Sequence, residues 1–187
     1  MLWIAALGLG LVAGLAFRGR IDNLAHLRFR WPWLIVAVLF VRAAVVLTPL
    51  SRVDGVQYVY LAALTALVAW TLWQIEMVRG TWLVAIGSVL NLVVIAANGA
   101  HMPVAPGLAG SLVHSGHLGQ YTLITGDTNL GWLADWIGFS GIGGVLSEAY
   151  SPGDLIVALG IAAVVALAMR SPTGSTETRP RIVSDPP

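Results

Sequence analysis

Asp135 and Asp154 are the residues of this chain best suited to chemistry, and they stand nineteen positions apart. Two carboxylates brought within a few ångströms do not both ionise easily, so they share a proton. The ionised one can then act as base on a water while the protonated one polarises a scissile carbonyl. Such a pair needs no cofactor. Each residue also has a plainer reading. Asp154 follows Ser151-Pro152-Gly153 and suits a helix N-terminus, where a carboxylate satisfies orphan N–H groups and the helix dipole. Asp135 suits the wet side of an interfacial helix.

The other polar candidates carry weaker signals. His114 and His117 have a spacing that can share a helical face, and His101 or Asp127 could complete a metal site. The His-Glu-x-x-His signature is absent, and solvated or capping histidines are commoner, so no metal and no cofactor is expected. Arg42 and Asn91 lie well inside apolar stretches at similar depth, which predicts a hydrogen-bonded pair. That pair reads either as a pocket for a lipid headgroup or anionic substrate, or as an arginine that fixes helix register. Glu76 near Arg79 reads as a surface pair of little worth.

The elements that must position these residues are set by composition. The chain has 187 residues, 57% hydrophobic and 10% charged, with mean hydropathy +0.82. Ordinary soluble domains carry about a quarter charged residues. The 19 charged residues (10 basic, 9 acidic) cannot cover a polar shell, which argues against a soluble enzyme or a disordered chain. A net charge of +1 gives no footprint for nucleic acid. Without cysteine there is no disulfide, thiol nucleophile or thiolate-bound metal. What this predicts is an all-α, polytopic membrane helix bundle.

Five stretches approach the roughly 20 apolar residues that a crossing needs: 1–17, 31–50, 56–75, 81–98 and 153–169. The first has no basic residue before its apolar run and reads as a retained anchor rather than a signal peptide. All ten basic residues are arginine. Arg18, Arg20, Arg28, Arg30, Arg79, Arg170, Arg179 and Arg181 fall on one side of the predicted membrane, and Arg52 alone outside it. The positive-inside rule then places the N-terminus outside and the C-terminus in the cytoplasm. Trp31, Trp33, Trp73 and Trp82 sit near span ends, where indoles prefer the interface. Gly10 and Gly14 form a close-packing face on the first span. The first 170 residues read as one transmembrane domain, and 171–187, rich in Ser, Thr and Pro, as a disordered tail.

The outer segment 99–152 holds no Arg or Lys and is rich in Leu, Ile, Trp and Gly. Its length argues for a functional, ordered element on or dipping into the outer leaflet. It opens on Asn98-Gly99-Ala100-His101-Met102-Pro103-Val104, a helix stop and rigid turn. Residues 108–121 are mildly amphipathic, and 129–139 read as an interfacial helix with Trp132 and Trp136 one turn apart.

At these residues the chain resembles two families. The turn at 98–104, Leu133-Ala134-Asp135-Trp136-Ile137 and Tyr150-Ser151-Pro152-Gly153-Asp154-Leu155-Ile156 are similar to the pattern of an uncharacterised bacterial multipass membrane family, domain of unknown function 5317. That resemblance runs from the second span to the fifth, with Ala134 replacing a glycine, and implies membrane location. More faintly, Leu133-Ala134-Asp135-Trp136 and Tyr150-Ser151-Pro152-Gly153-Asp154 resemble the two catalytic stretches of lipoprotein signal peptidases. By that similarity Asp135 and Asp154 would be the dyad that activates water for peptide cleavage. That family's Gly-Asn-x-x-Asp-Arg motif is missing, although Asp127 and Asn129 lie roughly in its place, and Ser151 stands where it has asparagine.

Three readings follow. The first is an aspartic intramembrane hydrolase at the outer leaflet of a bacterial cytoplasmic membrane, acting on a membrane-embedded peptide or lipid-linked substrate. The second is a non-catalytic subunit or scaffold of a cell-envelope complex, with a partner membrane protein. The third is a small transporter or headgroup binder centred on Arg42 and Asn91. Asn98, His101 and Asn129 join Arg42 and Asn91 as candidate substrate-binding residues. Membrane lipids are the expected surroundings, and nucleic acid is not an expected partner.

Overall fold

The computed structural model describes residues 1–47, 55–109, 120–140 and 147–170. Among the described residues five long α-helices carry the chain: α1 (Leu2–Ala16), α2 (Trp33–Leu47), α3 (Val56–Gln74), α4 (Thr81–Ala97) and α5 (Pro152–Arg170). Each coincides with one of the five apolar stretches, as runs of Leu, Val and Ala free of internal proline dictate. Among the described residues two helices, α3 and α5, are long and apolar enough to cross a membrane; α1 and α4 are apolar but shorter, at 15 and 17 residues.

Small residues set the helix packing. A Cβ on Gly10 would meet Ala162 and Val165, and one on Gly14 would meet Met169, so α1 and α5 run parallel in close contact. Gly80 sits against Val164, Gly160 against Val84 and Gly87 against Val157, so α4 runs antiparallel to α5. Helix α3 packs on α4, and α2 on α3. The two ends of the bundle differ. At one end Arg20 N–H donates to the Met169 carbonyl at 2.8 Å, and the Arg30 N–H donates to Gln74 Oε1 at 3.1 Å. Arg18, Arg20, Arg28, Arg30, Arg79 and Arg170 gather there. At the other end lie the start of α1 and the segment between α4 and α5.

That segment is built from short strands. β1 (Met102–Val104) pairs in parallel with β2 (Tyr121–Leu123), and β3 (Ile137–Ser140) pairs antiparallel with β4 (Ser147–Tyr150). Val94, Ile95, Met102 and Leu133 form a small apolar core where α4 meets β1. The helix expected over 129–139 does not form. Leu130 takes a left-handed conformation (φ 54°), Gly131–Leu133 make one 3-10 turn, and the chain continues extended into β3. Strand pairing decides this: the Asp135 N–H donates to the Pro103 carbonyl and its carbonyl accepts from the Ala105 N–H, both at 2.9 Å. Those bonds satisfy buried backbone groups that an interfacial helix would have paired locally. The amphipathic stretch around His114 and His117 and the tail 171–187 lie outside the described residues.

Candidate functional site

Helix α5 begins with its own N-terminal signature. Ser151 is the N-cap, Pro152 occupies the first helical position, and Asp154 is third. The Asp154 N–H donates to Ser151 Oγ at 2.9 Å, and the Ser151 N–H donates to Asp154 Oδ2 at 3.1 Å, a reciprocal capping box. Asn91 of α4 closes the arrangement. Its Nδ2 donates to Asp154 Oδ1 at 2.8 Å, and its Oδ1 accepts from the Ser151 hydroxyl at 2.8 Å. This ring fits only because residue 153 has no side chain: a Cβ there would overlap Asn91 Oδ1.

Asp135 approaches from the other element. The bridge between Val104 and Asp135 fastens it to β1, which is buried along its whole length. Its 3-10 turn touches both α4 and α5. Asp135 is 4% exposed, and its Oδ1 has no hydrogen-bond partner among the described residues. Burial raises its pKa from 3.8 to about 8, and the negative charge of Asp154 adds to the rise. At neutral pH Asp135 therefore holds a proton. Both Asp154 oxygens accept from N–H donors. The charge of Asp154 is thus felt at Asp135, whose Oδ1 is left unused among the described residues.

The remaining candidates divide. Asn98 and Asn129 hold each other: Asn98 Oδ1 accepts from the Asn129 N–H at 3.0 Å, and Asn98 Nδ2 donates to the Asn129 carbonyl at 2.9 Å. Asn129 Nδ2 donates to the Ala97 carbonyl at 3.1 Å. Together they clasp the end of α4 to the segment, and none of these bonds reaches a carboxylate. His101 donates its backbone N–H to the Asn98 carbonyl in the same turn. Both ends of the Asn91 amide are bound to α5 and its cap, and the expected pairing with Arg42 lies outside the described residues. Arg42 lies in α2, and its side chain falls outside the described residues. Among the described residues no three His, Asp or Glu side chains group as metal ligands. Ser151 and the contact of Asn91 with α5 are the parts of the site that sequence reasoning did not single out. The Ser-x-x-Asp spacing signals the first, while depth along α4 says nothing of which neighbouring helix Asn91 meets.

The sequence pattern of the family of unknown function DUF5317 matches residues 26–166, well over half the chain. This chain belongs to DUF5317. The matched part holds α2, α3, α4, the strand segment and most of α5, and with them Asn91, Asp135, Ser151 and Asp154. Helix α1 lies outside it. No curated protein and no solved structure matches the chain.

Proposed function

We propose that this DUF5317 chain is a five-span protein of a bacterial cytoplasmic membrane, with its strand segment outside and its arginine-rich end in the cytoplasm. In this reading Asp135 and Asp154 hydrolyse a membrane-embedded peptide at the outer leaflet. Support for the orientation comes from six arginines at one end of the bundle and no Arg or Lys from 99 to 152. The shorter α1 and α4 are accommodated by local thinning and by interfacial flanking residues.

What supports the chemistry is the buried Asp135, whose pKa is raised to about 8 by burial and by the charge of Asp154. Each Asp154 oxygen accepts one N–H bond and keeps a second lone pair. Asp154 takes a proton from water as the oxygen attacks the peptide carbonyl carbon, and Asp135 gives its proton to the carbonyl oxygen. Collapse of the tetrahedral intermediate breaks the C–N bond. The amine leaves with the proton from Asp154, and Asp135 recovers its own. The test is to reconstitute wild-type, Asp135→Asn, Asp154→Asn and doubly substituted protein into membranes of a host lacking it and to map new protein N-termini by mass spectrometry. Termini made by the wild type and absent with each variant support hydrolysis; a double variant that still makes them ends it. Cysteines placed at Thr122 and Asp22 check the orientation, since only the first is expected to react from outside.

A second reading, a non-catalytic subunit of an envelope complex, is favoured by one observation: the Asn91–Asp154–Ser151 ring fastens α4 to α5 whether or not chemistry follows. Recovery of a stoichiometric membrane partner by cross-linking, with unchanged N-termini, would select it.

A further inference from the structure

We infer that Arg30, Trp31, Trp33 and Trp73 form a binding site for the phosphate headgroup of an anionic phospholipid at the arginine-rich end of the bundle. This rests on the membrane reading above and is independent of the aspartate chemistry. The site is assembled from the backbone outward. Gln74 is fully buried on α3; its Oε1 accepts from the Arg30 N–H at 3.1 Å and its Nε2 donates to the Arg30 carbonyl at 2.9 Å. The Trp70 indole N–H donates to the same carbonyl at 2.6 Å. Two α3 side chains thus fix residue 30 by its main chain and leave its side chain free.

The side chains around it form a half-exposed aromatic cluster. Trp31 stacks on Trp33 with ring centroids 5.8 Å apart and meets Trp73 edge-on at 5.7 Å. The Arg30 guanidinium lies over the Trp73 ring, 5.0 Å from its centroid. Trp31 and Trp33 are each more than half exposed and Trp73 nearly so. Three indoles left this open in one place need an occupied or interfacial surround, because each buries much apolar area when covered. Among the described residues the Arg30 guanidinium and the three indole N–H groups have no hydrogen-bond partner, and no carboxylate pairs with Arg30.

Charge selects the occupant. A guanidinium stacked on an aromatic face keeps its N–H edge for a bidentate contact, which a phosphate diester matches and a zwitterionic headgroup satisfies less well because it brings its own cation. Arg28 is exposed at the same end and adds positive potential; of the acidic groups there, Asp22 is already paired with Arg20 and Glu76 is balanced by Arg79 three residues on. The indole bodies then lie among the upper acyl chains, with their N–H groups at headgroup level.

The test uses nanodiscs of equal parts phosphatidylglycerol and phosphatidylcholine, with co-released lipids identified by native mass spectrometry. The wild type is expected to retain phosphatidylglycerol about fivefold over phosphatidylcholine, the worth of one cationic side chain at an anionic surface. Arg30→Gln keeps the main-chain bonds to Gln74 and Trp70, so it folds, as an unchanged melting temperature would report, and loses the preference. Trp73→Leu weakens it, and Arg79→Gln, an exposed arginine without an aromatic partner, retains it. Equal retention of both lipids by the wild type, or equal loss in Arg79→Gln, overturns the site. Displacement of the lipid by inorganic phosphate at matched concentration also overturns it, in favour of a free-anion site. A chain that stays soluble without detergent and takes up neither lipid refutes the membrane reading itself.

Discussion

The protonated state of Asp135 has a measurable consequence for stability. Its pKa is 3.8 when unfolded and about 8 in the folded chain, so between those values the folded state holds a proton that the unfolded state has lost. Stability is therefore full below about pH 4, falls as pH rises, and levels off above about pH 8. The slope is about 1.4 kcal/mol per pH unit, and over roughly four units the loss is on the order of 5 kcal/mol. Asp135→Asn replaces the neutral acid by a neutral isostere and removes the slope. For a chain of this size about 1 kcal/mol moves the melting temperature by roughly 2–4 °C. Three of those units lie between pH 5 and pH 9, roughly 4 kcal/mol, so the wild type is expected to lose roughly 8–16 °C relative to Asp135→Asn across that range. Melting followed by tryptophan fluorescence in detergent, at unit pH steps, reads this difference, and titrations elsewhere cancel in it. Parallel curves for the two proteins, within about 2 °C across the range, would show that Asp135 is not held protonated.

Asp154→Asn removes the lesser cause of the Asp135 shift and leaves burial in place. The pH midpoint for carbodiimide labelling of Asp135, read by mass spectrometry, is expected to fall and yet stay well above 3.8. Asn91→Leu strips partners from Asp154 Oδ1 and the Ser151 hydroxyl, with an expected cost of roughly 2–4 kcal/mol in denaturant unfolding. Gly153→Ala drives a methyl into Asn91 and is expected to cost about 1–3 kcal/mol, whereas Gly8→Ala, with open space around it, leaves melting unchanged or raised. Gln74→Leu removes both side-chain bonds to the Arg30 main chain and is expected to destabilise by roughly 2 kcal/mol and to abolish the lipid preference together with it.

The helices were legible because an apolar run of 15 or more residues leaves the chain few alternatives to a helix. Their neighbours were less so. The Gly10–Gly14 spacing announced a close contact and not its partner, since any smooth helix face would fit. The Asp154 cap was spelled out by Ser151-Pro152-Gly153, a purely local signal. Asp135 was not, because its environment comes from β1, thirty residues earlier, and from a turn that local periodicity assigned to a helix. Trp132 and Trp136 have helical spacing, yet the Trp136 indole reaches back to the Trp132 carbonyl across a 3-10 turn and an extended residue. Asn91 shows the same limit: depth along a helix can be counted from sequence, but the direction a side chain faces depends on which helix packs there.

The parallel pairing of α1 with α5 joins two helices that leave the ribosome far apart in time. About 150 residues separate their completion, which at 5–20 residues per second is roughly 8–30 s of synthesis. Throughout that interval the glycine face of α1 has no mate within the chain, and lipid or the insertion machinery must cover it. A nascent chain arrested before Pro152 is therefore expected to cross-link through α1 to one of these, and a chain arrested well beyond Arg170 to cross-link to α5. Closure of the bundle is a late event, and α1 is the helix whose fate waits on it.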